Sequence, residues 1–325
     1  MPESPLSASP YEVLGVDPRA DDEELKKAYR RRLRETHPDT GGSANEFRRV
    51  QEAWERVGTP EARASFDRIR TVPGAAGGGY GPTGEYDDGD RPGPRPSRAR
   101  RDDGGMPRDT RPRSRSYGHP GGWRRERYLE MMREWSGRGT TLEDPYDPAL
   151  VRSAPWEIRH TLADAMAEEA TARAIATLGI GYTTWHDVLA HDFGKIDHVV
   201  LGPTGLFALQ SEDYGGPVAI KRGELVPATA GVYVDGRPAH ELAGRARRLG
   251  RTLGVQFAGA IVVLPDADLD EPAAEIGVHK GVVLVAVQRS VLADLLRNGL
   301  PGVPRALGID LFEVRTRLQQ GVKFI

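Results

Sequence analysis

The stretch that decides the fold of most of this chain is "IDHVVLGPTGLFALQSEDYGG", residues 196–216. Two apolar runs separated by a Gly- and Pro-containing turn predict a pair of adjacent strands. Asp197 stands alone in the first strand, and Gln210, Ser211 and Glu212 close the second. Carboxylates that converge from neighbouring strands can hold a hard divalent cation. The segment therefore predicts a polar site at the end of a sheet.

This segment lies in a region of alternating helical and strand-like patterns, from residue 147 to residue 325. A helix is predicted over roughly 155–178, since a proline suits its first turn. Strands are predicted in "YTTWHDVLA", "KIDHVVLG" and "GLFALQS", and a second long helix in "AHELAGRARRLGRTLG". The apolar runs "FAGAIVVL" and "GVVLVAV" are typical of strands buried on both faces. We therefore expect an α/β domain with a central mixed sheet over 147–325.

Residues 1–70 have a different, wholly helical pattern. Helices are predicted over roughly 21–35 and 43–57, each with an apolar stripe on one face, and a further short helix begins near Pro60. The two long helices form an antiparallel hairpin with "THPDTGG" at its tip. Pro38 ends the first of them, because the residue before a proline avoids the helical region. A small all-α domain is therefore expected here.

The two domains are joined by segments of another character. Gly and Pro supply 21 of the 52 positions over 71–122, which predicts a disordered linker. Its arginine-rich part, "RPGPRPSRARR", suits a solvated linker, with weak attraction to nucleic acid as the alternative. Residues 123–146 contain "WRRERYLEMMREW", an amphipathic helix and connector. We expect this helix to pack on one of the domains; binding of a partner is the alternative.

Composition excludes several classes of protein. The formal net charge is −2, so an affinity for nucleic acid must come from local patches. The chain has no cysteine, which excludes disulfides, thiolate metal sites and a cysteine nucleophile. The first residues have neither the basic nor the apolar region of a signal peptide, and no apolar run is long enough to span a membrane. We expect a cytoplasmic protein without a membrane partner.

The helical domain resembles the J domain of the DnaJ co-chaperones. The matching pieces are "YEVLGV" (11–16), "LKKAYRRRLRETHPD" (25–39) and "FRRVQEAWERVGTPEARASFD" (47–67). The resemblance implies that this domain docks on a DnaK-type heat-shock chaperone and stimulates its ATP hydrolysis. It assigns the contact to the His-Pro-Asp loop and to a basic helix face, namely His37, Pro38, Asp39, Lys26, Lys27, Arg30, Arg31 and Arg34.

Residues 165–220 resemble the nuclease-related domain, a branch of the PD-(D/E)xK nuclease-like fold. The matching pieces are "AEEATARAIATL", "HDV", "KIDHVVLGPTGLFAL" and "YGGPV". The resemblance places Asp197 at the position of the metal-binding aspartate. Gln210 stands where the family has Glu, and Glu212 where it has Lys. Mg²⁺ or Mn²⁺, on Asp197 and Glu212, is the cofactor that an active site of this family would need.

Several other residues are candidates for this site. Glu169 lies within the apolar stripe of the 155–178 helix, and a carboxylate aimed at the interior needs a partner or a metal there. Lys195 or Lys221 could supply the cation that Glu212 replaces. His186 and His198 could be metal ligands, but no third ligand is spaced for zinc, and we interpret both as polar residues at strand ends.

Two functions follow from these patterns. In the first, the chain is a co-chaperone whose impaired nuclease-like domain acts as a targeting or adaptor module. No Gly/Phe-rich region and no cysteine repeats follow the helical domain, so the C-terminal domain has to supply the targeting. In the second, the C-terminal domain is a metal-dependent nuclease that cleaves DNA or RNA and is coupled to the chaperone. The pair Gln210 and Glu212 disfavours the enzyme, because it removes the cation that such chemistry uses.

Overall fold

The computed structural model describes residues 4–71, 112–137, 142–190, 194–228, 236–300, 302 and 310–325. It contains a helical N-terminal domain and an α/β C-terminal domain, as predicted. Most of the predicted linker, including its arginine-rich part, lies outside the described residues. None of the helices in the described part of the chain combines the length and the apolar character that a membrane crossing requires.

The N-terminal domain consists of four helices: α1 (Pro10–Leu14), α2 (Asp22–Thr36), α3 (Ala44–Val57) and α4 (Pro60–Thr71). A capping box begins α2, in which Asp21 accepts a hydrogen bond from the backbone of Glu24 and the Glu24 side chain accepts one from the Asp21 backbone. Ser43 caps α3 in the simpler way, through its hydroxyl. These local signals fix the helix boundaries close to the predicted ones.

The hairpin is closed by apolar contacts between α2 and α3. Leu25 of α2 and Val50 and Val57 of α3 are almost fully buried in one cluster. The rings of Tyr29 and Trp54 stack with their centroids 4.3 Å apart, which adds a specific aromatic contact to the burial. The predicted antiparallel hairpin is confirmed by these contacts.

The C-terminal domain is built on a seven-stranded mixed sheet. The strands are β1 (Arg115–Tyr117), β2 (Thr183–Leu189), β3 (Lys195–Gly202), β4 (Gly205–Ser211), β7 (Gly259–Leu264), β8 (Ala273–His279) and β9 (Val282–Gln288). Their order in the sheet is β1-β2-β3-β4-β7-β9-β8, and a separate hairpin consists of β5 (Val218–Lys221) and β6 (Glu224–Pro227). The neighbours β4, β7 and β9 are parallel, whereas β2, β3 and β4 pair antiparallel.

Helices cover both faces of this sheet. The helices of the C-terminal domain are α5 (Gly122–Ser136), α6 (Pro148–Ser153), α7 (Trp156–Ala176), α8 (Pro238–Leu253), α9 (Leu292–Asn298) and α10 (Leu311–Gly321). One apolar layer joins α8 to side chains such as Val199 and Ala208, and the other contains Ile175 of α7 and Leu292 of α9 against Val200. The strands β3, β4 and β7 are buried along their whole length. For β7 this agrees with the prediction from its continuous apolar sequence.

The structure differs from the predicted domain boundaries at one place. Residues 115–117, within the predicted linker, form an edge strand parallel to β2. The backbone amides of Ser114 and Arg115 donate to the carbonyls of Ala176 and Tyr182, at distances of 3.1 Å each. The amphipathic helix α5 packs along α7 and buries Tyr128 and Met132, so the predicted packing on a domain is confirmed. The described part of the C-terminal domain therefore begins near residue 112.

The two domains touch at the start of α3. The Asn45 amide, which is 5% exposed, donates to the carbonyl of Leu269 and to the carboxylate of Asp270, both at 3.1 Å. Arg49 donates to the carbonyl of Gly215 at 3.0 Å. Leu6 lies against the same glycine, where an added Cβ would be 2.7 Å from the Leu6 carbonyl oxygen. The helical domain is thus docked beside the segment that follows β4.

The packing of α5 yields a test of its place in the domain. Tyr128 is fully buried, and its hydroxyl donates to the carbonyl of Pro145 at 2.5 Å. We expect Tyr128→Ala to lower the free energy of unfolding by about 3–5 kcal/mol, because a large core side chain and its cavity are involved. Urea unfolding followed by circular dichroism measures this. The control is Arg127→Ala, an exposed residue of the same helix, for which a change within about 0.5 kcal/mol is expected. A similar loss in both variants would contradict the packing described here.

Candidate functional site

The tip of the N-terminal hairpin holds the His-Pro-Asp loop. His37 follows the last turn of α2, and its ring nitrogen Nδ1 accepts a hydrogen bond from the backbone amide of Asp39 at 3.2 Å. The ring stands edge-on to Phe47 of α3, with centroids 5.2 Å apart. The side chains of His37 and Asp39 are 44% and 87% exposed. The contact with Phe47 and the hydrogen bond within the loop therefore hold the His37 ring in place, while the side chains of His37 and Asp39 remain exposed to a partner.

The basic face of α2 is exposed next to this loop. Five cationic side chains point to solvent: Lys26, Lys27, Arg30, Arg31 and Arg34. Arg31 lies within 3.8 Å of Glu35, an exposed pair that contributes little to stability. The N-terminal domain buries its opposite, apolar face, so the cationic groups are available to an acidic surface. All eight residues assigned to chaperone binding lie on α2 or in the loop that follows it.

The second candidate site is a cluster of buried carboxylates at the end of β4. Asp164 and Glu168 are four residues apart on α7 and share one helix face. They meet Asp197 of β3 and Glu212, which follows the last residue of β4. All four carboxylates are at most 6% exposed. Such a group requires cations, because an unpaired buried charge is costly.

Arg124 of α5 provides one of these cations. Its guanidinium lies 2.6 Å from Asp164, 3.5 Å from Glu168 and 3.9 Å from Asp197. Burial by itself would lower the pKa of Arg124, but the surrounding carboxylates outweigh it and raise the pKa further above its usual range. Arg124 is thus a permanent positive charge inside the cluster.

Lys195, at the start of β3, provides the other cation. Its Nζ lies 2.6 Å from Glu168, 2.5 Å from Asp187 and 3.3 Å from Asp197. Burial opposes the charged form, yet Asp197 and Glu168 raise the pKa of Lys195. Of the two lysines that could supply the cation missing at position 212, Lys195 therefore lies in the cluster. Lys221 is exposed on the β5–β6 hairpin, where it pairs in register with Glu224.

These two cations set the ionisation of Asp197. Burial would raise its pKa, but the charges of Lys195 and Arg124, assisted by a 2.8 Å hydrogen bond from the Ser211 amide, lower the pKa to about 2. Asp197 is therefore a carboxylate throughout the physiological range. It is neutralised by side chains of this chain itself.

Asp164 and Glu212 behave in the opposite way. Burial is the main cause that raises the pKa of each to about 7. Asp197 also raises both pKa values, and Asp164 raises that of Glu212. Arg124 lowers both values without overcoming these effects. This end of the cluster consequently carries more acid groups than its cations can neutralise.

Gln210 is not arranged as a metal ligand. Its side-chain oxygen accepts a hydrogen bond from Arg245 of α8 at 2.9 Å, and its amide donates to Glu212 at 2.7 Å. Arginine can only donate, so the orientation of the amide is determined by its neighbours. With Lys195 and Arg124 beside Asp197, the set Asp197, Gln210 and Glu212 does not fit Mg²⁺ or Mn²⁺ in the arrangement that the resemblance implies.

The remaining predicted residues lie outside the carboxylate cluster. Glu169 points away from it and forms a bidentate ion pair with Arg125 of α5, at 2.7 and 3.1 Å. His186 and His198 are buried within their strands, and their Nδ1 atoms lie 2.7 Å apart. Burial lowers the pKa of both histidines, to about 4 for His198, so both rings are neutral. They form a hydrogen-bonded pair across β2 and β3.

Sequence reasoning missed three members of the cluster, Arg124, Asp164 and Glu168. It also missed His160, whose Nε2 lies 3.6 Å from Asp164. Glu168 adjoins the predicted Glu169, but a step of one residue along a helix turns the side chain to another face. Asp164 and His160 precede Glu168 by four and eight residues. This spacing places all three on one helix face and could have been used to predict them. Arg124 gave no such signal, because it lies in the charged surface pattern of an amphipathic helix.

The raised pKa of Glu212 predicts how stability depends on pH. A carboxyl with a raised folded-state pKa binds its proton more tightly in the folded chain, so its contribution is lost as the pH rises from about 4 to about 7. In metal-free buffer, we expect Glu212→Gln to be more stable than the unchanged chain at pH 8, by about 1–3 kcal/mol. The difference should shrink towards pH 5. Urea unfolding at several pH values measures it.

The control for this experiment is Glu126→Gln, an exposed carboxylate on α5 that leaves the cluster intact. It should have the same pH dependence as the unchanged chain. A Glu212→Gln variant that is less stable at pH 8 would show that the carboxylate has a favourable partner.

Comparison with known proteins identifies both domains. Residues 9–67 match the DnaJ domain family, and residues 163–265 match the nuclease-related domain family. A protein named Chaperone protein DnaJ 1, from Cutibacterium acnes, is 47% identical over 81 residues, which are 24% of this chain and 20% of that protein. Chaperone protein DnaJ from Trichodesmium erythraeum is 46% identical over 71 residues, 21% of this chain and 19% of that protein.

A further relative, named Curved DNA-binding protein, comes from Pseudomonas putida. It is 41% identical over 70 residues, 21% of this chain and 22% of that protein. The chain thus spans about a fifth of the length of these curated relatives. On these matches, the chain contains a DnaJ domain at residues 9–67 and a nuclease-related domain at residues 163–265.

Proposed function

We propose that this chain is a co-chaperone that recruits a DnaK-type chaperone and stimulates its ATP hydrolysis, with the C-terminal domain as a targeting or adaptor module. One observation carries the proposal. The His-Pro-Asp loop and the basic face of α2 are exposed, while the N-terminal domain contacts the C-terminal domain through Leu6 and the start of α3. The surface that would meet the chaperone is accessible in the docked arrangement.

Electrostatics supports this role for α2. Five cationic side chains on one helix face attract an acidic partner over a distance and orient it, which mainly increases the association rate. The attraction between exposed groups weakens as salt rises, because the screening length is only about 8 Å at physiological ionic strength. The relatives named as DnaJ chaperones share this region with the chain.

The adaptor role is supported by the state of the carboxylate cluster. Lys195 and Arg124 lie against Asp197, where the family resemblance puts a metal ion. Gln210 and Glu212 are hydrogen-bonded to each other, and Glu212 removes the lysine of the family pattern. A site arranged in this way retains its fold without the charge distribution for phosphodiester hydrolysis. In this role the C-terminal domain acts through its surface, which binds the target, and not through catalysis.

A second function, metal-dependent cleavage of DNA or RNA, has one observation in its favour. Asp164, Glu168, Asp197 and Glu212 gather at one end of the sheet, as the carboxylates of a nuclease do. Cleavage of plasmid and single-stranded substrates by the full chain, with Mg²⁺ or Mn²⁺, decides between the two. We expect none. Cleavage that Asp197→Asn abolishes would establish the enzyme instead.

The co-chaperone role is tested at His37. We expect His37→Gln to reduce stimulation of a DnaK-type ATPase at least tenfold, because the loop would lose the ring that is fixed against Phe47 and exposed to the partner. Single-turnover ATP hydrolysis measures this, and circular dichroism verifies the fold. The control is His119→Gln, an exposed histidine of the C-terminal domain, which should leave stimulation unchanged. Full stimulation by His37→Gln would refute the assignment.

Docking of the two domains is tested at their interface. The double variant Asn45→Ala, Arg49→Ala removes the hydrogen bonds to Leu269, Asp270 and Gly215. We expect it to increase the radius of gyration measured by small-angle scattering and to leave ATPase stimulation by the full chain within about twofold. The control is Glu52→Ala, an exposed residue of α3. Unchanged scattering in the double variant would show that these contacts do not hold the domains together.

A further inference from the structure

The proposed function assigns no ligand to three side chains at one end of the carboxylate cluster. His160 and Asp164 lie one turn apart on α7, and Glu212 faces them from the end of β4. One ligand atom from each lies within 4.8 Å of the others. Asp164 and Glu212 are buried, and the His160 side chain is 21% exposed, which leaves a path from solvent.

Glu212 is an unusual carboxylate in this setting. It is 6% exposed, and in the described part of the chain no cationic side chain lies within ion-pair distance of it. Its single side-chain hydrogen bond among those residues comes from the neutral amide of Gln210. Buried carboxylates are normally paired with a cation or bound to a metal. When Glu212 is ionised, no side chain in the described part of the chain therefore lies close enough to act as its counter-ion.

Tyr214 provides an independent observation. Its side chain is 2% exposed, and its hydroxyl has no hydrogen-bond partner among the described residues. The hydroxyl lies within the electrostatic reach of Glu212 and Asp164. The buried Nε2 of His160, 3.6 Å from the nearer Asp164 oxygen, also lacks a hydrogen bond there. Polar atoms this deeply buried are seldom left unsatisfied, and the two rings that carry these atoms stack with their centroids 6.0 Å apart.

We propose that His160, Asp164 and Glu212 bind a first-row divalent transition-metal ion such as Zn²⁺. One imidazole and two carboxylates form a ligand set suited to Zn²⁺, Co²⁺ or Mn²⁺. Three protein ligands leave further positions for water or for the hydroxyl of Tyr214. The site is distinct from the position at Asp197, which pairs with Lys195 at 3.3 Å. Arg124 contacts both Asp197 and one oxygen of Asp164. The inference goes beyond the co-chaperone role and does not depend on it.

The surroundings prepare these ligands for a metal. The His160 ring stacks with those of Trp156 and Tyr214, at centroid distances of 4.4 and 6.0 Å, and these contacts restrict its orientation. Arg124 donates to the other oxygen of Asp164 at 2.6 Å, as outer partners of metal ligands do. Tetrahedral ligand atoms with metal–ligand bonds of about 2.0–2.2 Å lie about 3.3–3.6 Å apart. The three ligand atoms, which lie within 4.8 Å of one another, therefore have to close by up to about 1.5 Å.

The ion would connect α7 to the segment after β4. Glu212 and Tyr214 belong to this segment, and the next residue, Gly215, accepts the hydrogen bond from Arg49 of the DnaJ domain. Metal binding would thus stiffen the surface on which the DnaJ domain is docked.

The test is metal binding by the full chain, with Zn²⁺ and Co²⁺ as probes. After treatment with EDTA and dialysis, isothermal titration should give one Zn²⁺ per chain. Co²⁺ should produce visible absorption bands, and Zn²⁺ should raise the Tm, because an ion that binds only the folded state stabilises it. We expect His160→Gln and Glu212→Gln each to weaken Zn²⁺ binding at least tenfold.

Glu212→Gln keeps the result interpretable, since its fold is expected to be more stable without metal. His240→Gln is the matched control, because His240 forms a histidine–carboxylate pair with Glu224 on another part of the domain. Its Zn²⁺ affinity should be unchanged. The proposal is overturned if the full chain binds neither ion, if both site variants retain full affinity, or if His240→Gln alone abolishes binding.

Discussion

Burial of carboxylates at the end of the sheet is the constraint on which the C-terminal domain depends. Asp164, Glu168 and Asp197 would not tolerate this environment without Arg124 and Lys195. Taking away one partner of such a network typically costs about 3–5 kcal/mol, since it leaves a charge uncompensated. The network also explains why α5 belongs to the domain. Its arginine inserts between α7 and β3, so the helix is fixed by charge as well as by apolar packing.

Most of the fold could be predicted from the sequence because its signals are local. The strands β7 and β9 are continuous apolar runs, and β3 and β4 contain shorter ones. The bounds of all four agree closely with the predicted segments. Helix α2 begins with a capping box that can be read directly from Asp21 and Glu24. The edge strand β1 escaped prediction, since its three exposed residues carry no apolar pattern and depend on pairing with β2.

The candidate site was less predictable, because its contacts are not local. Asp197, Gln210 and Glu212 were found from strand periodicity and from the family pattern. Which helix residue joins them depends on the rotation of α7 against the sheet, and that placed Glu168 in the cluster and left Glu169 with Arg125. Arg124 lies about seventy residues before Asp197 in the sequence. Only the packing of α5 on α7 brings it there.

The DnaJ domain binds the C-terminal domain weakly, and its attachment to the same chain compensates for this. The interface rests on a few hydrogen bonds from Asn45 and Arg49, each worth only about 1 kcal/mol net. Between free molecules such contacts would be too weak to persist. Here they form within one chain, where the effective concentration of a tethered domain is on the order of millimolar. A weak interface can then be populated and still be broken when a partner binds the same surface more tightly. The DnaJ domain therefore stays docked but can be released.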